Sequence, residues 1–594
     1  MLRYLPVIAA ALQLCNAQFS ISGADLFIGG STPIVDTGYA KFQGKQDLLT
    51  QSDNYLGITY ASAPRFDHSI LANQTLRGIQ NVSDYGPACP QHDFVSLFAP
   101  SDFGLGALAG TLEAALSPVF QQSEECLSIN VQRPQNVTEN SKLPVLMWIH
   151  GGGFESGASA SFAGETTIAP GVFYQGANLV KRSIDMDQPM IVVSINYRLM
   201  HFGFTASQEF EEAGLLNLGL EDQRNAMRWV QQNIAAFGGD PDRVTIMGES
   251  AGSWAVTAHL VANGGDNEGL FHGAVGISGG PVKVEGPGRQ QGMFDDMVNY
   301  VGCGNATDKI ACLRMAPYDL IYAHAQTVNF LLGYRSLASA WTIRPDGKFL
   351  TESPDKLVAE GKIANVPVMY GDMRDEGTLF SLINSLNTTT TEEVIDYFST
   401  YWWPNVTQAQ MDKLMELYPE DPSAGSPFGT GVLNQLGPQF KRIAALTGDY
   451  SFQCQRRQLL DKITAPKWNY LIEQAVPLPL IDETPLGEII AETGVTGIPV
   501  LGSFHVSDVV LNWFGTLPAS VSQNSYHLMG VLVSFVNHLD PNQHGMASVP
   551  TWPEYNSTSR ETIRWQESGV DVIVDDYRQE QMNYLNEIGD YLRI

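Results

Sequence analysis

The sequence predicts an α/β fold built on a large, mostly parallel central sheet with helices on both faces. Three observations carry this. Short β-type apolar runs recur at Val145–Ile149, Met190–Ile195 and Val244–Met247, with Gly273–Ile277, Val366–Tyr370 and Trp468–Ile472 further on. They are too short for helices, and several are apolar at successive positions, as a strand buried on both faces requires. An amphipathic run, Leu220–Phe237, separates two of them, with Met227, Val230, Ile234 and Phe237 on one helical face and Gly238-Gly239 at its end. Strands alternating with helices in this way favour a parallel sheet covered on both sides.

The 594 residues carry no internal repeat, low-complexity tract or linker, so residues 18–594 are expected to form one elaborated domain. Residues 1–17 read as a signal peptide: Arg3, an apolar run Leu5–Leu14, then Cys15-Asn16-Ala17 as a small-residue cleavage site. Secretion is therefore expected. No later apolar run reaches membrane-spanning length, and no lipid-anchor signal is present. A net charge of −29 argues against nucleic acid and anionic membranes as partners. Sequons stand at Asn73, Asn81, Asn136, Asn305, Asn387, Asn405 and Asn556. Five cysteines remain after Cys15 leaves with the signal, so one thiol should be free. Spacing alone leaves the pairing of Cys89, Cys126, Cys303 and Cys312 open, and no Cys-x-x-Cys spacing suggests a metal.

Residues 18–85 are turn-rich and show no chemistry. The stretch between Cys89 and Cys126 contains no Lys or Arg and is rich in large apolar side chains. Leu105, Leu108, Leu112 and Val119 share a helical stripe that Gly104, Gly106 and Gly110 weaken. A mobile lid over about 89–126 is the expectation, with a permanently packed helix as the alternative.

The run Val145–Ile149 leads into His150-Gly151-Gly152-Gly153-Phe154. Consecutive glycines are costly to order, and they suit a backbone that must point amides at a ligand, as in an oxyanion loop. No Lys-Ser/Thr follows, which speaks against phosphate binding.

The run from Val244 enters Gly248-Glu249-Ser250-Ala251-Gly252, and a helix-compatible stretch leaves it and stops at Gly264. Strand, tight Gly-x-Ser-x-Gly turn and helix form a nucleophile elbow, whose residue after the serine lends its amide to an oxyanion hole. The pattern also occurs at Gly276-Ile277-Ser278-Gly279-Gly280, where Pro281 follows and no helix does. Ser250 is therefore the candidate nucleophile, and Ser278 reads as an ordinary strand-end serine.

An acid and a base should follow in that order. Past the Val366–Tyr370 run, Asp372, Asp375 and Glu376 compete for the acid, and the residues alone do not rank them. For the base, His527 and His538 lie in the apolar helical run Tyr526–Leu539 and His544 in a polar turn. His505, in the Gly/Ser loop Gly502–Asp508 after what reads as the last strand, is preferred by position.

Several of these segments together resemble the type-B carboxylesterase/lipase family of α/β-hydrolases. They are Cys89 with Ser123–Val131, His150–Phe154, Asn196-Tyr197-Arg198, Gly239-Asp240-Pro241, Gly248–Gly252, Asp375-Glu376-Gly377-Thr378 and Gly502–Asp508. The resemblance implies an α/β-hydrolase fold, a Ser250–Glu376–His505 triad, and oxyanion amides on Gly152, Gly153 and Ala251. It also implies disulfides Cys89–Cys126 and Cys303–Cys312, and an acyl pocket at Leu379 and Phe380. The family includes fungal lipases, sterol esterases and cholinesterases. Cholinesterases carry a Trp in the first disulfide loop to hold a quaternary ammonium, and residues 90–125 contain none.

The expectation is a secreted ester hydrolase of the fungal lipase and sterol esterase type, acting without cofactor or metal. Its partners would be a small-molecule or lipid ester and a lipid–water interface, and the chain would be a monomer or weak homodimer. The rivals are a carboxylesterase of small soluble or aryl esters and a non-catalytic binding protein on a hydrolase scaffold.

Overall fold

Alternate side chains of the central strands enter two separate apolar layers. Val145, Met147 and Ile149 belong to one layer with Val193, Ile195, Val244 and Ile246, while Leu146 and Trp148 belong to the other with Val192, Met247 and Ile277. That two-sided burial is why the runs are apolar at successive positions. The computed structural model describes residues 32–92, 121–160, 174–338, 340–475, 500–515 and 523–594. The segment 1–17 expected as a signal peptide, and most of the expected lid, lie outside these residues.

Among the described residues the main sheet has 11 strands. They are β1 (Lys45–Asp47), β2 (Ser52–Thr59), β3 (Ser128–Pro134), β4 (Leu143–Ile149), β5 (Ile191–Ile195) and β6 (Gly239–Glu249). They continue as β7 (Gly273–Ile277), β8 (Val368–Met373), β9 (Lys467–Ile472), β10 (Glu561–Gln566) and β11 (Gly569–Val574). The spatial order is β11-β10-β9-β8-β7-β6-β4-β5-β3-β2-β1. From β5 through β4, β6, β7, β8 and β9 to β10 every neighbour is parallel, and antiparallel pairs flank this run on both edges. This is the expected mostly parallel sheet. The expectation that the Trp468–Ile472 run is the last strand fails, because the β10–β11 hairpin adds to the sheet beyond it.

Helices Leu218–Asn233 and Ala251–Val261 bury Met227, Trp229, Trp254 and Val256 in one layer. Helices Gly176–Asp185 and Gln523–His538 bury Leu179, Val180, Leu528 and Phe535 in the other. None of the described helices is long and apolar enough to cross a membrane. The parallel strands bring the loops after β4, β6 and β8 to one end of the sheet, where a crevice outside the carboxyl ends of strands is the usual place for a ligand.

Candidate active site

Strand β6 ends at Glu249, and the helix Ala251–Val261 begins at the next residue but one. Ser250 between them sits at φ 56° and ψ −123°, a conformation that a side-chain-bearing residue holds only when its surroundings enforce it. The flanking glycines are what allow it. A Cβ on Gly248 would stand 2.4 Å from the Gly252 carbonyl, and one on Gly252 would stand 2.2 Å from the Ile149 carbonyl oxygen. Ser250 N–H donates to Ile277 O at 2.9 Å, tying the turn to the end of β7.

The glycine loop after β4 closes against this turn. A Cβ on Gly151 would meet Glu249 O at 2.5 Å and Ser250 Cβ at 2.9 Å. Gly152 and Gly153 take φ of +98° and +66°, which favour glycine. Among the described residues, no hydrogen bond is formed by the N–H of Gly152, Gly153 or Ala251. His150 anchors the loop: its ring stacks on Tyr197 at 4.4 Å, and Tyr197 Oη–H donates to His150 O at 2.7 Å. Burial holds the His150 imidazole down at about 4, so it is neutral.

The three competing carboxylates part company. Asp372 accepts from Arg456 Nε at 2.6 Å inside the core. Asp375 is caged: Oδ1 accepts from Ser426 Oγ at 2.9 Å and Phe428 N–H at 2.8 Å, and Oδ2 accepts from Ser503 N–H at 3.1 Å. Glu376 Oε2 lies 2.6 Å from His505 Nδ1, while its Oε1 accepts from Met373 N–H at 2.7 Å. On the far side of the same ring, Glu249 Oε1 stands 3.1 Å from His505 Nε2. His505 Nε2 has no hydrogen-bond partner, so the Ser250 hydroxyl is not bonded to it here. Catalytic hydrogen bonds in unliganded sites are often long or unmade.

Burial dominates the electrostatics. It lowers the His505 imidazole below its ordinary range, against the pull of Glu249. It pushes the Glu249 carboxyl up to about 8, with His505 opposing, and raises Glu376 as well, against the Met373 amide. The aromatic rings of Phe380 and Phe452 cover the imidazole at centroid distances of 4.9 and 4.6 Å.

A family model described as the carboxylesterase family matches residues 31–585. The chain belongs to the carboxylesterase family. It is a carboxylic ester hydrolase with an α/β-hydrolase fold. A protein named "Lipase 4" from Diutina rugosa is 38% identical over 522 residues, covering 86% of this chain and 87% of that protein. One named "Secreted triacylglycerol lipase LIP1" from Gibberella zeae is 39% identical over 555 residues, covering 90% and 87%. Among solved structures, EstA of Aspergillus niger superposes with a TM-score of 0.76 at 27% identity, covering 95% of this chain and 99% of that one.

Elsewhere in this carboxylesterase, Cys89–Cys126 and Cys303–Cys312 are bonded and Cys454 is a buried free thiol, the pairing that the family resemblance implied. All seven sequon asparagines are exposed. His527 Nε2 is 2.9 Å from Ser548 Oγ and His544 Nδ1 accepts from Met546 N–H, so both are engaged away from the Ser250 turn. Phe380 covers His505, whereas Leu379 beside it is half-buried. Sequence reasoning missed Glu249 and Phe452. Glu249 could have been suspected from its place beside Ser250 in the elbow. Phe452 lies in the π-helical stretch Asp449–Gln453, where nothing local marks it.

Proposed function

We propose that this carboxylesterase hydrolyses hydrophobic, long-chain esters in the manner of a lipase or sterol esterase, through a Ser250–His505–Glu376 triad. His505 takes the Ser250 proton as the hydroxyl attacks the ester carbonyl, and Glu376 holds the imidazole tautomer and stabilises the imidazolium. The amides of Gly152, Gly153 and Ala251 receive the oxyanion, and loss of one such donor costs roughly 2.7–4 kcal/mol of transition-state stabilisation. The alcohol leaves first, and water then releases the acid from the acyl-enzyme. Phe380 and, beside it, Leu379 form part of the acyl pocket.

The single observation behind this reading is the 2.6 Å contact of Glu376 with His505 beside the strained Ser250 turn. The lipase names of the relatives support the substrate class, and the word secreted in one of them supports export, as does the segment 1–17. A single catalytic domain over 18–594, a lid over about 89–126 and glycans on the exposed sequons complete the proposal.

Ser250→Ala is the test. Ester hydrolysis should vanish while circular dichroism and melting stay unchanged, and an organophosphate should label the native protein but not the variant. Retained turnover would assign the chemistry to another group. An acyl-chain series ending in a sterol ester then separates the substrate classes: a rate that peaks at acetyl esters and ignores emulsions would select a carboxylesterase of small esters.

A further inference from the structure

Away from the triad, a cavity of about 570 Å³ opens between the segment around Val328–Ala340, the start of the helix Gln291–Tyr300, and Tyr401. Its volume falls in the range of small-molecule sites. Three arginines line it, Arg289, Arg335 and Arg344, against one carboxylate, Asp296. That is a local reversal in a chain whose net charge is −29.

Arg289 and Arg335 are held by main-chain oxygens and a ring more than by acids. Arg289 donates to Tyr401 O at 3.2 Å and Trp402 O at 3.4 Å. Arg344, 2% exposed, donates to Glu285 O at 3.1 Å and Ile594 O at 2.6 Å, and its Nε has no partner. The Arg335 guanidinium lies over the Tyr401 ring at 5.1 Å and forms no ion pair among the described residues. Glu285 reaches only 3.8 Å from Arg289 and also accepts from Asn405 at 2.7 Å. Gln290, 4% exposed, lines the same cavity with both amide atoms unbonded. His324 in the wall is committed to His201, 2.9 Å away, and burial keeps it neutral. Burial, and then the neighbouring charge of Arg289, hold the Arg344 guanidinium down at about 9, a cost that a bound anion relieves.

We propose that this cavity is a binding site for a small organic carboxylate, outside the catalytic centre. Guanidinium forks match the two oxygens of a carboxylate, and Met293, Val328 and the Tyr401 ring give an apolar wall for a short tail.

The test uses the full-length protein, sodium hexanoate and inorganic phosphate, each against chloride at matched ionic strength. Hexanoate should raise the melting temperature in a saturable manner. In Arg335→Ala, an exposed position where folding is not at stake, the apparent Kd should weaken about tenfold, as loss of one charge-assisted contact implies. Arg289→Gln should weaken it similarly, with ester turnover unchanged in Arg335→Ala. Stabilisation by phosphate alone would overturn the carboxylate assignment in favour of an inorganic anion. No stabilisation by either, or hexanoate binding of equal strength in both variants, would overturn the site.

Discussion

Glu249 Oε1 and Glu376 Oε2 clamp the two nitrogens of His505, at 3.1 Å from Nε2 and 2.6 Å from Nδ1. The two contacts are not equivalent. Glu376 is within hydrogen-bond distance of Nδ1, whereas Nε2 has no hydrogen-bond partner, which in the proposed triad is the nitrogen that takes the serine proton. Glu249 makes no hydrogen bond to Nε2 and acts on the ring through its charge.

Glu249→Gln follows from this clamp. Glu249 draws His505 toward its charged form, whereas burial draws it the other way. Removing the carboxylate leaves burial opposed only by the more weakly acting Asp508 and Asp372, so His505 gives up its proton at lower pH. The acid limb of kcat/KM against pH, measured with a neutral ester, should therefore move to lower pH. A limb that stays in place or moves up would mean that the clamp has no bearing on catalysis.

Asp375→Asn tests a different link. The backbone of Asp375 pairs with Ser503, with Asp375 N–H donating to Ser503 O at 2.9 Å, and the carboxylate caps Ser426, Phe428 and Ser503 at once. An amide offers one acceptor oxygen, so its nitrogen must face a donor. The loss should be about 1.5–3 kcal/mol of stability, since the contacts are to a charged group. Because Ser503 is two residues from His505, kcat should fall as well. A lower melting temperature with native kcat would confine Asp375 to a structural tie.

These two residues also mark where the sequence stops being legible. The elbow and the glycine loop are readable because their demands are local: a strained turn and close backbone approach require glycine at fixed offsets. The acid is not, since Asp372, Asp375 and Glu376 share one strand end. What separates them is partners from far along the chain, Arg456 for the first and Ser426, Phe428 and Ser503 for the second. The β10–β11 hairpin was missed for a related reason. β11 is an edge strand whose Val572 and Val574 are exposed, so it lacks the two-sided apolar pattern that marked the central strands.

Gly252→Ala should be among the most damaging single-methyl changes in the protein. Its Cβ would stand 2.2 Å from Ile149 O and 2.9 Å from His150 O, both main-chain atoms that cannot swing aside. Overpacking of this kind costs typically 1–3 kcal/mol and sometimes more. Here the displaced backbone is the root of the glycine loop, so activity should fall further than stability. Gly292→Ala is the control, because nothing lies within 4 Å of its Cβ position and the residue sits in a helix. It should be neutral or stabilise by about 0.5–1 kcal/mol. Thermal melts and kcat of the pair decide the matter, and equal behaviour of the two variants would show that close approach at Gly252 is not what the elbow needs.

Replacing Cys303 and Cys312 together by serine should separate stability from catalysis. The bridge spans 9 positions and ties the end of the helix Gln291–Tyr300 to the helix Lys309–Met315. Cys303 and Leu313 belong to an apolar cluster with Phe66, Phe202, Phe210 and Phe294, whereas Phe380 and Phe452, which cover His505, belong to a different one. In the loop-entropy picture, closing so short a loop contributes about 2.7 kcal/mol, less any strain. The double variant should therefore unfold at lower denaturant with kcat and KM unchanged at temperatures where it remains folded. A parallel loss of kcat in fully folded protein would mean that this cluster shapes the site after all, because a tether acting through the unfolded chain has no route to the rate.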